Sequence, residues 1–161
     1  MDTEYYIQHI QCSREGKQEC FFTVRQLVEL ALTAREKGLL AMEGVIRDYA
    51  RFPDPFLRKA VNLVIDISNP SNIRRVLHNY IFTSNYTTNQ RFLNAVLITE
   101  TMLAVSQLED LDYIFTYLVP SFFGMEYEEA VIDIYLEFKK DIRMAERLNE
   151  DDGDLIMNGS L

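Results

Sequence analysis

Apolar side chains return every three or four positions along most of this chain, the spacing that puts them on one face of an α-helix. Leu27, Val28, Ala31 and Ala34 make the first clear stripe. Thr23 followed by Gln26 fits a capping box, in which hydroxyl and amide each satisfy an orphan backbone group, so a helix is predicted to start there. Gly38 either ends this helix or sits as a weak point inside a longer one. A second unit is expected over 39–50, and Phe52-Pro53-Asp54-Pro55 breaks the chain. Asp54 suits an N-cap and Pro55 the first turn, because the N–H that proline lacks has no partner there anyway. The helix that follows turns Leu57, Ala60, Val61, Val64 and Ile65 inward and Arg58, Lys59, Asn62 and Asp66 outward. Asn69-Pro70-Ser71 redirects the chain into a stripe of Ile73, Val76, Leu77, Tyr80 and Ile81.

Beyond the polar stretch 83–89, the run 92–108 predicts a buried helix. Asp110 or Asp112 caps a short apolar helix that Pro120 ends. The last helix is expected from about Glu126, with Val131, Ile134, Tyr135, Phe138, Ile142 and Ala145 facing in. Its acids, Glu128, Glu129 and Asp133, precede its bases, Lys139, Lys140 and Arg143, as the helix dipole favours. No alternating strand pattern and no hairpin turn between apolar runs stands out. The reading is an all-α, single-domain soluble helical bundle of about six helices. Residues 22–148 form the domain, 1–21 a weakly ordered N-terminal arm or a short helix that docks late, with polar 13–18 inside it, and 149–161 an acidic disordered tail. The expected core includes Leu57, Val61, Val64, Val76, Leu77, Ile81, Leu93, Leu97, Leu103, Ile134 and Phe138.

Charge narrows the partners. Lys and Arg number 16 against 25 Asp and Glu, a net charge of −9 that repels phosphate backbones and acidic lipid surfaces. Nucleic acid is therefore not expected as a partner. Membrane insertion is not expected either: the run 92–108 is shorter than the roughly 20 apolar residues a span needs, and it carries Asn94, Glu100 and Gln107. Cys12 and Cys20 are the two cysteines, and the N-terminus reads as neither a basic nor an apolar leader segment. Cytoplasmic location with both thiols reduced is the expectation.

Chemistry finds little purchase. His9 and His78 have no acidic or cysteine neighbours at metal-ligand spacing, and His78 reads as a surface or boundary residue. There is no glycine-rich phosphate loop and no nucleophile elbow. Glu126, Glu128, Glu129 and Asp133 gather at a helix start, where the dipole alone favours them. Asp151-Asp152-Gly153-Asp154 has the wrong spacing for a calcium loop and no closing glutamate. No enzymatic activity, no cofactor and no metal is expected, and with them no deep polar pocket lined by groups with strongly shifted pKa values.

Three segments in order carry a family resemblance: Ala34-Arg35 through Gly38-Leu39-Leu40-Ala41-Met42-Glu43, then Asp54-Pro55-Phe56-Leu57-Arg58-Lys59 on to Asp66, then Asn69-Pro70 to Leu77. Over 27–82 the chain resembles the cytoplasmic region of the flagellar motor stator protein MotA, without that family's membrane spans. The resemblance implies a non-enzymatic, bacterial interaction module that presents charged helices to a flagellar rotor component. Its partner in that family is the switch protein, and the matching contact positions here are Arg35 and Glu43. Arg58 and Arg74, outward on the same segment, are further candidates. Ordinary solvated charges on amphipathic helices explain these four residues equally well. A different class of reading is a helical regulatory or adaptor domain unrelated to motility that binds a partner helix. Self-association stays open under either.

Overall fold

The computed structural model describes residues 2–86 and 88–157, with side chains described up to residue 150. Among the described residues every regular element is helical, and no helix is long and apolar enough to cross a membrane. In chain order the helices are α1 (Thr3–Ile10), α2 (Arg14–Lys37), α3 (Met42–Ile46), α4 (Pro55–Asp66), α5 (Pro70–Thr83), α6 (Asn89–Ser106), α7 (Leu111–Tyr113), α8 (Val119–Ser121) and α9 (Glu128–Met157). Short 3₁₀ turns at Leu39–Ala41 and Met125–Tyr127 lead into α3 and α9, and a π-helical turn, Ile114–Leu118, joins α7 to α8.

Helix α6 is the centre of the domain. It packs against α1, α2, α4 and α5, and twelve of its eighteen residues are buried, including both threonines Thr99 and Thr101. The buried apolar run expected over 92–108 is thus a core helix ringed by others. Helix α9 closes the far side, laying Val131, Ile134 and Tyr135 on α2 and on the π turn. Of the expected core, Val76 and Phe138 are half-buried and the remaining nine positions are buried.

Local signals explain most boundaries. Asp54 accepts the Phe56 N–H at 2.8 Å and Asn69 accepts the Ser71 N–H at 2.9 Å, each with proline in the first helical turn. Gly38 ends α2 at φ 88°, a conformation in which a side chain is strained. Helix α6 ends without a glycine. Leu108 takes φ 55°, its N–H donating to Val105 and the Glu109 N–H to Ala104, which is the paired geometry of a Schellman motif. Pro120 lacks the N–H that a helix interior needs. The π turn just before it, with Val119 N–H donating to the Ile114 carbonyl, absorbs the mismatch and lets the helix run on to Ser121.

The structure corrects several expectations. The N-terminal arm is two helices: α1, and the first turns of α2, which Ser13 caps by accepting the Gly16 N–H at 3.1 Å. Thr23 is no cap; it lies buried inside α2. Gly16 lies inside α2 as a close packing contact: a Cβ there would clash with Cys12 Sγ and come within 3.3 Å of Gln90 Cβ. The unit 39–50 is shorter than expected, with regular helix confined to Leu39–Ile46. In α9, Ala145 is exposed, since the helix has by then run past the elements it packs on. The expected disordered tail is helical from 149 to 157, as a continuation of α9, and 158–161 lie outside the described residues.

Candidate functional site

The four charged candidates fall on four different helices or turns, and each already has an intramolecular partner. Arg35, in the last turn of α2, reaches across to the end of α6: its Nη2 donates to the Glu109 carbonyl at 2.7 Å and lies 3.5 Å from the Leu108 carbonyl. Both carbonyls belong to the loop just past α6, so the guanidinium ties the end of α2 to that loop. Arg58, in the first turns of α4, donates Nη1 to the Phe52 carbonyl at 2.5 Å while its guanidinium sits 4.5 Å from the Tyr49 ring centre. Arg74 on α5 pairs with Glu100 on α6 at 3.0 Å. Glu43 on α3 pairs with Arg47 at 2.8 Å, across a single helical turn and largely in solvent.

Glu43 therefore differs from the three arginines. They brace one element against another; Glu43 bonds only to its own helix. The turn and helix over 39–46 are anchored by Met42 and Ile46, both buried. At helical spacing Leu40, Glu43 and Arg47 share the side next to these anchors. Leu40 is 67% exposed and Tyr49, just beyond, is also 67% exposed. An apolar and an aromatic side chain thus flank an exposed ion pair, a composition common at recognition surfaces.

What holds this face in place is long-range. Phe52 is buried beneath the 47–54 segment. The buried Gln26 donates Nε2 to the Arg51 carbonyl at 2.6 Å, the Arg51 guanidinium pairs with Glu29, and Arg58 takes the Phe52 carbonyl. Two α2 residues and one α4 residue fix a segment with no regular structure of its own. Sequence spacing could not announce Gln26 or Arg51, because their partners lie 25 and 22 residues away.

A second feature went unread in the sequence. A half-open cleft of about 830 Å³ lies among α2, α4, the end of α5, the loop after it and the first half of α6, with Phe56, Lys59, Tyr80, Tyr86, Arg91 and Asn94 on its walls. The cleft is open to solvent on one side and is not the histidine-and-carboxylate cavity that would speak for catalysis. Neither histidine lines it: His78 stands edge-on to Phe82, and His9 is stacked on Tyr5 with its Nδ1 2.8 Å from the Tyr5 carbonyl. Burial holds the Tyr86 phenol above its ordinary range. Among the described residues no group of three His, Cys, Asp or Glu is arranged to hold a metal. Cys12 and Cys20 are free thiols, Cys20 buried.

No protein-family model, no curated protein and no solved structure matches the chain.

Proposed function

We propose that this protein is a non-enzymatic interaction module of the kind the stator resemblance implies, and that its contact face is the exposed side of the 39–49 segment. The observation that carries the reading is the pairing of Leu40 and Tyr49, both two-thirds exposed, with the solvent-exposed Glu43–Arg47 pair on a rigidly anchored turn. Glu43 keeps the contact role that the resemblance assigns it. Arg35 becomes a positioning group, because its guanidinium is engaged by the carbonyls of Leu108 and Glu109. Arg58 and Arg74 likewise serve the fold first, through Phe52, Tyr49 and Glu100.

The partner proposed is the flagellar switch protein or a related rotor component, met by charge complementarity at Glu43 and Arg47 and by apolar contact with the flanking Leu40 and Tyr49. Reversal of the pair, Glu43→Lys with Arg47→Glu, preserves an ion pair on the helix while inverting its pattern toward a partner. It should weaken binding to the switch protein by about tenfold or more while leaving helix content intact. Raised salt should weaken the wild-type complex. Unchanged affinity of the reversed protein, or no binding at low salt, ends the stator-like reading.

One observation favours the adaptor alternative. From Arg143 to Glu150 every residue of α9 is exposed, Met144 and Leu148 among them, and Leu136 is exposed nearer its start. Such an exposed stretch suits an amphipathic partner helix. Loss of binding on Met144→Glu with Leu148→Glu, and not on the Glu43–Arg47 reversal, would favour it.

A further inference from the structure

In the cleft beside α4 two carboxylates have hydrogen-bond donors, while two cations have no carboxylate partner among the described residues. Its acids are already served. Asp54 accepts the Phe56 N–H at 2.8 Å through Oδ1 and the Asn94 Nδ2 at 3.3 Å through Oδ2. Glu19 accepts Gln90 Nε2 at 2.6 Å. Its cations are not. Lys59 and Arg91 line the cleft, and among the described residues neither has a carboxylate within 4.0 Å. Lys59 Nζ instead lies 5.7 Å from the Tyr80 ring centre, an arrangement that leaves its three donors to solvent or ligand.

Asn94 adds direction. A carboxylate can only accept, so Asp54 fixes which end of the Asn94 amide faces it, and the other end, Oδ1, is buried with no donor. A buried acceptor without a partner is costly, and this one belongs to a side chain on the cleft wall. The Asn94–Asp54 bond is long and the terminal amide torsion of asparagine is broad, so rotation of the amide, with loss of that bond, would turn Oδ1 toward a donor entering the cleft. Tyr80 and Tyr86 supply aromatic faces on the same walls. The volume, about 830 Å³, lies within the range of small-molecule sites.

We infer that this cleft binds a small planar organic anion carrying one hydroxyl or N–H donor. The anionic group meets Lys59 and Arg91, the ring lies against Tyr80 and Tyr86, and the donor satisfies Asn94 Oδ1. This assignment is independent of the contact face over 39–49.

The test is an NMR titration of the full chain with three probes of one size: 4-hydroxyphenylacetate, phenylacetate, which lacks the donor, and tyramine, which keeps the phenol and replaces the anion by a cation. A probe of this size in a matching site should bind with a Kd in the low millimolar range. The expected result is saturable shifts for 4-hydroxyphenylacetate at the amides of Lys59, Tyr86, Arg91 and Asn94. Phenylacetate should bind about fivefold more weakly and tyramine at least about tenfold more weakly. Lys59→Ala with Arg91→Ala, both at exposed positions, should keep helix content and lose binding about tenfold or more. Absence of saturable shifts, shifts that map elsewhere, equal binding by tyramine or phenylacetate, or an unaffected double variant overturns the assignment.

Discussion

Replacing Arg58 by alanine separates a strut from a contact residue. The guanidinium makes a hydrogen bond of 2.5 Å to the Phe52 carbonyl and covers the Tyr49 ring at 4.5 Å, so it ties α4 to the segment that displays the contact face. A hydrogen bond from a charged donor contributes about 1.5–3 kcal/mol, and the cation–π contact, with Tyr49 mostly in solvent, about 0.5 kcal/mol. Against this, a cation near a helix N-terminus is disfavoured by about 0.3 kcal/mol, and alanine is a slightly better helix former. The net loss should be about 2 kcal/mol. For a chain of this length that lowers Tm by about 4–8 °C, read by far-UV circular dichroism and by urea unfolding. Arg58→Lys keeps the charge without the forked reach and should lose about half as much. Arg75, exposed on α5, is the control, and its alanine variant should stay within about 0.5 kcal/mol of wild type. An Arg58→Ala protein that melts within about 1 °C of the parent would refute the strut, and with it the claim that the 47–54 segment is held from α4.

Other outcomes follow from single features. Leu108→Gly should stabilise by about 0.5–1 kcal/mol in urea unfolding, since leucine sits at φ 55° with its side chain mostly in solvent, whereas Leu108→Val should destabilise by more than about 1 kcal/mol. Burial pushes the Cys20 thiol up to about 12, above its unfolded value, so its share of stability is complete below about pH 9 and is lost as pH rises from there toward 12. Cys20→Ala should flatten that alkaline limb, and a thiol reagent at neutral pH should modify Cys12 at least about tenfold faster than Cys20; equal rates would contradict the packing. The Tyr135 hydroxyl, 2.7 Å from Asp112, and the Lys139 ammonium, at 3.0 Å, hold the Asp112 carboxyl below its usual range. That stability is present above the unfolded carboxylate pKa of about 3.9 and is lost as pH falls through the lowered folded value. Because the carboxylate is exposed, Asp112→Asn should change acid unfolding by less than about 1 kcal/mol.

Features whose partners lie close in sequence could be read from the residues. Asp54-Pro55 and Asn69-Pro70 mark α4 and α5 because a cap bonds to an N–H two residues on, and of the two readings Gly38 allowed, the structure takes the helix end. The central helix was legible because twelve buried side chains leave little room for a polar face. Features set by distant partners were not. The polar stretch 13–18 reads as part of a weakly ordered arm until Gly16 is seen packed on Cys12 and Gln90, and Thr23 reads as a cap until α2 is seen to begin at Arg14. Leu108 hides a helix end that glycine would have announced. The arginines looked like surface charges because their carbonyl and carboxylate partners come from elsewhere in the chain, Arg35 with Glu109 being 74 residues apart. The cleft was invisible for the same reason, since its unmet groups come from α4 and α6 and no local spacing joins Lys59 to Arg91.

The proposed contact face is tested most directly by amide hydrogen exchange of the full chain with and without the flagellar switch protein in excess. The account predicts slowed exchange, about fivefold or more, confined to 38–49 and cancelled by the Glu43→Lys, Arg47→Glu reversal. Unchanged exchange over 38–49, or protection confined to α9, would contradict it.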